Sequence, residues 1–183
     1  MTDSTNLGLG IFDLAGRNIL VTGASYGLGK TMALGLAAAG ARVAVAGRSE
    51  DKLAVTVADI RKAGGEAVAI CFDATDKTSC DELVAGVISE FGFLHCAVIN
   101  HGVIEVATPH ETSAQEWATV INTNLTGCLY GDRAVGEQMI NQGEGGAIVL
   151  TSSNGSLVAF EGLTAYGASK GGVDMMCKQM ASD

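Results

Sequence analysis

A glycine-rich segment stands between a short apolar run and a helical pattern near the start of the chain. The apolar run is Ile19-Leu20-Val21, and the segment is Thr22-Gly23-Ala24-Ser25-Tyr26-Gly27-Leu28-Gly29. Glycines let a backbone turn sharply and approach a ligand closely, and the N-terminus of a following helix attracts negative charge. This order of strand, loop and helix predicts an α/β fold whose first loop binds phosphate groups. The alternative is that the glycines serve only a tight turn.

Apolar runs alternate with helical patterns along the rest of the chain, which is typical of a parallel sheet with helices on both faces. The predicted strands lie near 17–22, 42–46, 66–71, 95–99 and 146–151. The predicted helices include a long one from about 113 to 142 and a last one that begins near Thr164. Right-handed crossovers give a doubly wound sheet of order 3-2-1-4-5, with ligand at the carboxyl ends of the strands.

Three residues in the last part of the chain form a pattern with a clear chemical meaning. Tyr166 and Lys170 are four residues apart in a predicted helix, and Ser153 precedes Tyr166 by thirteen residues. Residues four apart share a helix face, so the ammonium of Lys170 can lie beside the phenol. A positive charge favours the ionised form of a neighbouring phenol, which suits it for general acid–base catalysis. The pattern predicts redox chemistry between a carbonyl and an alcohol, with Ser153 holding the substrate oxygen.

Together the two motifs resemble the short-chain dehydrogenase/reductase family, classical type. The glycines follow the family's G-x-x-x-G-x-G spacing, which differs from the G-x-G-x-x-G of other dinucleotide-binding folds. The resemblance runs from about Phe12 to Asp183. In general appearance it is similar to bacterial polyol and sugar-acid dehydrogenases and to 3-oxoacyl thioester reductases. It implies a Rossmann fold and an NAD(P)-dependent oxidoreductase that transfers a hydride between a nicotinamide and a carbonyl or secondary alcohol.

The resemblance also implies a catalytic role for four residues. Tyr166 exchanges a proton with the substrate, Lys170 tunes the phenol and binds ribose, and Ser153 orients the substrate oxygen. Asn124, in Asn122-Thr123-Asn124, matches the family asparagine that bends its helix and holds a water relaying protons to the lysine. Asn122 and Ser152 are neighbouring alternatives, and Asn124 could also be an ordinary helix residue. The spacing to Tyr166 selects Ser153 over Ser152.

A cofactor site formed by the glycine loop, the strand ends and the catalytic pair is implied in the same way. Its residues are Gly23, Ser25, Tyr26, Gly27, Leu28, Gly29, Arg48, Asp73, Ala74, Asn100, Gly102, Tyr166 and Lys170. Asp73 matches the family aspartate that meets the adenine, although an aspartate that closes a turn after a strand explains it equally well.

The chain departs from the family's Asn-Asn-Ala-Gly after the fourth strand, where it has Ile99-Asn100-His101-Gly102. Ile99 replaces the family's first asparagine, so a polar contact between strands is lost. We expect His101 to face solvent, since a histidine outside any pattern is seldom functional; a place near the ribose is the alternative.

The end of the second strand favours NADP(H) over NAD(H). An NAD-selective site usually has an Asp or Glu there to bind the ribose 2′-hydroxyl. In this chain Gly47 occupies that position and Arg48, which could grip a 2′-phosphate, follows it. Three features leave NAD(H) open. Arg48 could be a solvated loop charge, Glu50 and Asp51 could meet a ribose, and Tyr26 stands where many NADP(H)-using relatives carry a basic residue.

Charge and composition argue against several other classes of protein. The formal charge of −9 makes a general nucleic-acid surface improbable. The first residues lack the features of a signal peptide, and the apolar stretch from Thr31 to Gly47 is interrupted by Arg42, so we predict a cytoplasmic protein that does not span a membrane. The cysteines and histidines show no metal-binding spacing, so no metal is predicted. We expect all five cysteines to be reduced, buried side chains.

The predicted last helix is still running at Asp183, and no sixth strand follows it. We therefore expect residues 1–183 to be a single Rossmann domain that is truncated at its C-terminal end, with an open edge at the fifth strand.

The sequence says little about the substrate beyond its being a small molecule. Asn154-Gly155-Ser156-Leu157 and Phe160 suggest only a mixed pocket. When full length, the protein is expected to be a homodimer or homotetramer that packs through helix 113–142 and the helix from Thr164. Two other functions stay open: a fragment that binds a dinucleotide without turnover, and a regulatory protein that uses the fold without catalysis.

Overall fold

A five-stranded parallel sheet forms the centre of the protein. We describe a computed structural model, which covers residues 12–182, so residues 1–11 and 183 of the predicted domain lie outside the described residues. The strands are β1 (Asn18–Thr22), β2 (Arg42–Gly47), β3 (Glu66–Cys71), β4 (Cys96–Ile99) and β5 (Ala147–Leu150). Their spatial order is β3-β2-β1-β4-β5, which confirms the predicted doubly wound topology.

Helices cover both faces of the sheet. They are α1 (Gly27–Ala38), α2 (Glu50–Lys62), α3 (Lys77–Phe91), α4 (Ala114–Ile121), α5 (Gly127–Gln142) and α6 (Thr164–Met180), with a π-helical turn at Asn122–Thr126 and a 3-10 turn at Asn154–Ser156. α1 and α2 pack on one face, and α3, α5 and α6 pack on the other.

The apolar run in β1 explains why the chain folds in this way. Leu20 packs with α3 and α5, whereas Ile19 and Val21 point to the opposite face and pack with α1 and α2. Alternate residues of a strand face opposite sides of the sheet, so a central strand covered on both sides is apolar throughout. The same requirement makes β2 a nearly continuous run of Val and Ala.

The long helical pattern predicted over 113–142 forms two helices in the structure. A π-helical turn separates α4 from α5, and the Gly127 amide donates to the carbonyl five residues earlier. The side-chain amide of Asn124, inside this turn, is hydrogen-bonded to the backbone of Val103 in a different segment. The interruption falls at Asn124, where the family resemblance implies a bend in the helix, and the long-range contact holds the backbone there away from α-helical geometry.

The cysteine prediction is only partly correct. Cys80 and Cys128 are buried, and burial raises the pKa of each thiol to about 11, so both are unreactive. Cys96 is half-buried, whereas Cys71 and Cys177 are exposed. The prediction was wrong for the last two. Cys71 lies at the end of an edge strand, and Cys177 lies on the exposed face of α6.

β5 forms the second edge of the sheet. Within residues 12–182 it pairs only with β4, and Val149 is half exposed. None of the helices in this part of the chain has the length and apolar character needed to cross a bilayer.

Candidate active site

A cleft of about 1200 Å³ opens where the carboxyl ends of the strands meet, because the residues that follow each of the five strands line it. This is the edge at which doubly wound sheets bind ligands. The predicted site residues that line the cleft are Gly23, Ser25, Tyr26, Gly27, Leu28, Gly29, Arg48, Asp73, Ala74, Asn100, Gly102, Ser153, Tyr166 and Lys170. The remaining predicted residue, Asn124, is fully buried behind the wall of the cleft.

The glycine loop needs its glycines for close packing. Gly23 has a φ of 65°, and a Cβ there would lie 2.8 Å from the Cα of His101. A Cβ on Gly29 would lie 2.7 Å from the Asn100 side-chain nitrogen and would collide with the Gly23 carbonyl. The first turn of α1 can therefore approach the loop closely, which leaves the helix N-terminus open toward the cleft.

The end of β2 presents two cations to the cleft. Arg48 follows the strand directly, and Lys52 lies one helical turn further on, at the start of α2. The Lys52 ammonium lies 5.4 Å from the centre of the Tyr26 ring. Gly47 fits tightly, since a Cβ there would lie 2.8 Å from the Ser25 hydroxyl. This end of the cleft therefore combines two positive charges with a strand end that carries no acidic side chain.

Asp73, at the end of β3, is exposed and closes a turn. Its carboxylate accepts hydrogen bonds from the amide and the hydroxyl of Thr75, at 2.9 and 2.8 Å. These bonds hold the pKa of the carboxyl below its ordinary value, and the Arg48 charge adds to the effect. The turn-closing alternative is thus present in the structure, and the same side chain lines the cleft.

Lys170 is buried at the base of the cleft. Its ammonium donates a hydrogen bond of 2.7 Å to the carbonyl of Thr151 and lies 5.9 Å from the centre of the Tyr166 ring. Both residues belong to α6, where their spacing of four puts them on one face. The hydrogen bond to Thr151 fixes the charge between the end of β5 and the phenol.

Ser153 and Tyr166 meet around Gly155. The Ser153 hydroxyl accepts from the Gly155 amide at 3.1 Å. A Cβ on Gly155 would lie 3.4 Å from that hydroxyl oxygen and 3.6 Å from the Tyr166 ring, so both groups border the same small space. Ser152 is directed toward α6 instead, where its hydroxyl lowers the pKa of Asp174 by hydrogen bonding. The structure thus favours Ser153 over Ser152 as the residue beside Tyr166.

Asn124 ties three segments together from its buried position in the π-helical turn. Its side-chain oxygen accepts from the Val103 amide at 2.7 Å, and its nitrogen donates to the Val103 carbonyl at 2.8 Å. The nitrogen also donates to the hydroxyl of Ser169, next to Lys170, at 3.1 Å. Asn122, the alternative candidate, is exposed and makes none of these contacts.

His101 is buried, so the expectation that it faces solvent is wrong. Its Nδ1 lies 2.9 Å from the Thr22 hydroxyl oxygen, while Nε2 has no hydrogen-bond partner among the described residues. Two glycines make room for this residue. Gly23 lies against the His101 backbone, and Gly127 lies against the ring, where a Cβ would be 3.1 Å from Nε2. Burial lowers the pKa of His101 to about 4, with the Lys170 charge as a second cause, so the ring is neutral at pH 7.

The family description "short chain dehydrogenase" matches residues 17–183, nearly the whole chain. The chain belongs to the short-chain dehydrogenase family. It is 34% identical to gluconate 5-dehydrogenase of Gluconobacter oxydans, over 94% of this chain and 67% of the relative. It is 37% identical to 3beta-hydroxysteroid dehydrogenase 1 of Eggerthella lenta, over 92% of this chain and 65% of the relative.

A solved member of the short-chain dehydrogenase family has nearly the same fold. The crystal structure of a short chain dehydrogenase/reductase from Burkholderia phymatum in complex with NAD superposes with a TM-score of 0.88 at 30% identity. The match covers 92% of this chain and 60% of that chain. This chain thus spans about two thirds of the length of the family members that it matches.

Sequence reasoning missed several residues of this short-chain dehydrogenase site. Lys52 carried a usable signal, since a residue four positions beyond Arg48 at the start of a helix can reach the same ligand. The contributions of Val103 and Thr151 had no such signal, because both act through backbone groups. Among the described residues, no group of three or more His, Cys, Asp or Glu is arranged to hold a metal ion.

Proposed function

We propose that this protein is an NAD(P)-dependent oxidoreductase that interconverts a secondary alcohol and a ketone. The single observation that carries the proposal is that Ser153, Tyr166 and Lys170 border the same cleft as the glycine loop. An acid–base group and a phosphate-binding loop in one cleft are the parts that hydride transfer requires. Both relatives compared above are named as dehydrogenases, which supports the same reaction class.

The residues present fit a dinucleotide cofactor. The close packing of Gly29 against the Gly23 carbonyl holds the glycine loop at the N-terminus of α1, and this helix end favours the negative charge of a pyrophosphate. Asn100 and Gly102 line the cleft after β4, between the glycine loop after β1 and Thr151 after β5, whereas Asp73 lines it on the other side, after β3. When bound, the nicotinamide supplies or accepts the hydride.

Residues of this chain transfer the proton that accompanies the hydride. In the direction of ketone reduction, the Tyr166 hydroxyl donates its proton to the substrate oxygen, and Ser153 holds that oxygen by a hydrogen bond. The buried ammonium of Lys170, fixed by the Thr151 carbonyl, attracts the negative charge left on the phenol oxygen. Asn124 holds the backbone of Val103 in place with two hydrogen bonds. Alcohol oxidation uses the same groups in reverse.

We propose NADP(H) as the preferred cofactor. Arg48 and Lys52 place two positive charges at the end of the cleft that follows β2, where an adenosine ribose would lie. The contact between Lys52 and the Tyr26 ring brings a basic group to the glycine loop, although the loop itself carries none. A carboxylate that would repel a 2′-phosphate is absent from position 47, which is Gly. The solved relative with bound NAD makes NAD(H) the competing assignment.

A two-step experiment tests the proposal on the purified protein. Binding of NADPH and NADH is measured first by fluorescence, and oxidation of the bound form is then followed with a panel of ketones. We expect tight NADPH binding and turnover of at least one ketone. Cofactor binding without turnover would support a dinucleotide-binding fragment instead, and absence of binding would point to a non-catalytic use of the fold.

A further inference from the structure

A histidine that the proposed reaction does not use is buried beneath the cleft. His101, the second residue after β4, is 7% exposed and belongs to the cleft wall. Its ring meets the ring of Phe72, which follows β3, edge-on with 5.7 Å between the centroids, and it lies against Gly127 at the start of α5. Its Nδ1 atom lies 2.9 Å from the hydroxyl of Thr22, the last residue of β1. One side chain thus connects the cleft ends of β1 and β3 with the first turn of α5.

The hydroxyl of Thr22 decides which ring nitrogen of His101 carries the proton. The hydroxyl oxygen accepts hydrogen bonds from the backbone amides of Asn100, at 2.9 Å, and His101, at 3.3 Å. A hydroxyl has two lone pairs and one proton, so after these two bonds it can only donate. Nδ1 of His101, at 2.9 Å, is a closer acceptor than the Val98 carbonyl, at 3.5 Å. Nδ1 is therefore the acceptor, and the proton of the neutral ring is on Nε2.

The same hydroxyl holds the segment after β4 beside the glycine loop. The Asn100 amide donates to it, and the Asn100 side-chain nitrogen packs so closely on α1 that a Cβ on Gly29 would lie 2.7 Å away. Asn100 and Gly29 both line the cleft. Without an acceptor at Nδ1 of His101, the Thr22 proton would turn to the more distant Val98 carbonyl, and the hydroxyl would be oriented less firmly toward the Asn100 amide.

The Nε2 atom of His101 shows that the ring does more than fill space. Nε2 is buried and has no hydrogen-bond partner among the described residues. A buried N–H group without a partner costs free energy, and an apolar side chain would occupy the same space without that cost. The acceptor Nδ1 is what the histidine supplies and an apolar side chain lacks.

We infer that His101 is a positioning residue for the dinucleotide. This inference rests on the proposed function, because it takes the cleft to hold a dinucleotide. Nδ1 orients the Thr22 hydroxyl, the hydroxyl holds the Asn100 amide, and this connection fixes the distance between the segment after β4 and the glycine loop. A ligand that contacts both segments binds more tightly when their spacing is set in advance.

Nitrogen NMR of the unmodified protein tests the assigned ring proton. At neutral pH we expect His101 to show a protonated Nε2 and an unprotonated Nδ1; a proton on Nδ1 would overturn the inference. Addition of NADPH should shift the ring signals of His101 and the amide signal of Asn100. The ring signals of His95, which directly precedes β4 at the opposite end of the strand, should stay in place.

Two amide substitutions separate the roles of the ring nitrogens. The side-chain oxygen of His101→Asn can take the position of Nδ1 and accept from the Thr22 hydroxyl, whereas the amide of His101→Gln reaches the position of Nε2 instead. NADPH affinity is measured by fluorescence. We expect His101→Asn to bind NADPH within about twofold of the unmodified protein, and His101→Gln to bind it about tenfold more weakly, the scale of one hydrogen bond.

His95→Gln is the matched control. The Nδ1 atom of His95 accepts from the amide of Asn18, the first residue of β1, at 3.0 Å. It therefore joins the same two parallel strands as His101, at the end away from the cleft. We expect His95→Gln to lower the free energy of unfolding in urea and to leave the NADPH affinity unchanged.

The outcomes separate this inference from the proposed function. If the unmodified protein binds neither NADPH nor NADH, the proposed function fails and the inference fails with it. If the unmodified protein binds NADPH, equal affinities of His101→Asn and His101→Gln overturn the inference alone. An equal loss in His95→Gln and His101→Gln also overturns it, because any loosening of β1 and β4 would then weaken binding. If neither His101 variant folds, the NMR titration decides, and unshifted His101 signals overturn the inference.

Discussion

The hydroxyl of Thr22 and the Nδ1 atom of His101 lie 2.9 Å apart in a place closed to solvent. The same hydroxyl accepts a hydrogen bond from the Asn100 amide at 2.9 Å, so it joins the end of β1 to the end of β4 beside the glycine loop. A neutral imidazole packed edge-on to Phe72 completes this junction. The junction has no charge at pH 7, although it lies near the buried charge of Lys170.

The burial of His101 predicts loss of stability in mild acid. Its pKa is lowered from 6.5 to about 4 in the folded protein, so the unfolded chain binds the proton more readily. The difference has no effect well above pH 6.5, and it lowers the free energy of unfolding progressively as the pH falls toward 4, on the order of 3 kcal/mol in total. Urea unfolding at several pH values measures it. The loss should be smaller in His101→Ala, and parallel curves for the two proteins would contradict the prediction.

Replacement of Tyr166 by Phe should abolish turnover and spare the cofactor. The substitution removes the exchangeable proton but keeps the ring, so we expect kcat to fall by about a hundredfold or more. NADPH binding, measured by fluorescence, should change little. Tyr130→Phe is the control, since Tyr130 lies on α5 outside the cleft. A Tyr166→Phe protein that keeps most of its kcat would rule out Tyr166 as the acid–base group.

Lys52→Ala and Arg48→Ala should each weaken NADPH more than NADH. Both side chains lie where the 2′-phosphate is expected, and loss of a charge-assisted contact costs about tenfold in affinity. Lys62→Ala, at the exposed end of the same helix as Lys52, is the control and should affect neither cofactor. Equal losses for NADPH and NADH would show that these residues do not read the 2′-phosphate.

Gly29→Ala should remove cofactor binding without unfolding the protein. The added methyl would collide with the Gly23 carbonyl, so the loop must shift away from the geometry that suits a pyrophosphate. Gly35→Ala is a matched change on the same helix, where a Cβ meets nothing within 4 Å. It should preserve binding and stabilise α1 by about 0.5–1 kcal/mol. Normal NADPH affinity in Gly29→Ala would contradict the assigned role of the loop.

Self-association should depend on α4 and α5. Trp117 and Leu129 are 42% and 44% exposed on these helices, which is high for large apolar side chains and suits a subunit interface. We expect a dimer or tetramer in light scattering at micromolar concentration, and a smaller mass for Trp117→Glu. Val55→Glu on α2 is the control. A monomeric mass for the unmodified protein would end this proposal.

The strands were predictable because their signals are local. The apolar run from Val43 to Ala46 predicts a buried strand, and a glycine follows it directly. The spacing of Tyr166 and Lys170 placed two side chains on one helix face for the same reason. The sheet order followed from handedness, which holds for nearly all parallel crossovers.

The features that were missed depend on contacts between distant segments. The π-helical turn is tied to the bonds between Asn124 and Val103, which are 21 residues apart. The burial of His101 depends on two glycines that lie far from it in sequence: Gly23 leaves room for its backbone and Gly127 for its ring. Neither effect changes the hydrophobic periodicity. The bend at Asn124 was indicated only by the resemblance to a family, and the burial of His101 was not indicated at all.

The attachment of Asn124 to Val103 has a consequence for protein engineering. Both hydrogen bonds use the backbone of Val103, so they hold the segment 103–107 at its base without depending on the side chains at positions 104–106. Combinatorial libraries that randomise positions 104–106, of which Ile104 and Glu105 line the cleft, should therefore yield mostly folded variants. Proline at position 103 is the exception, because it would remove the amide that Asn124 binds.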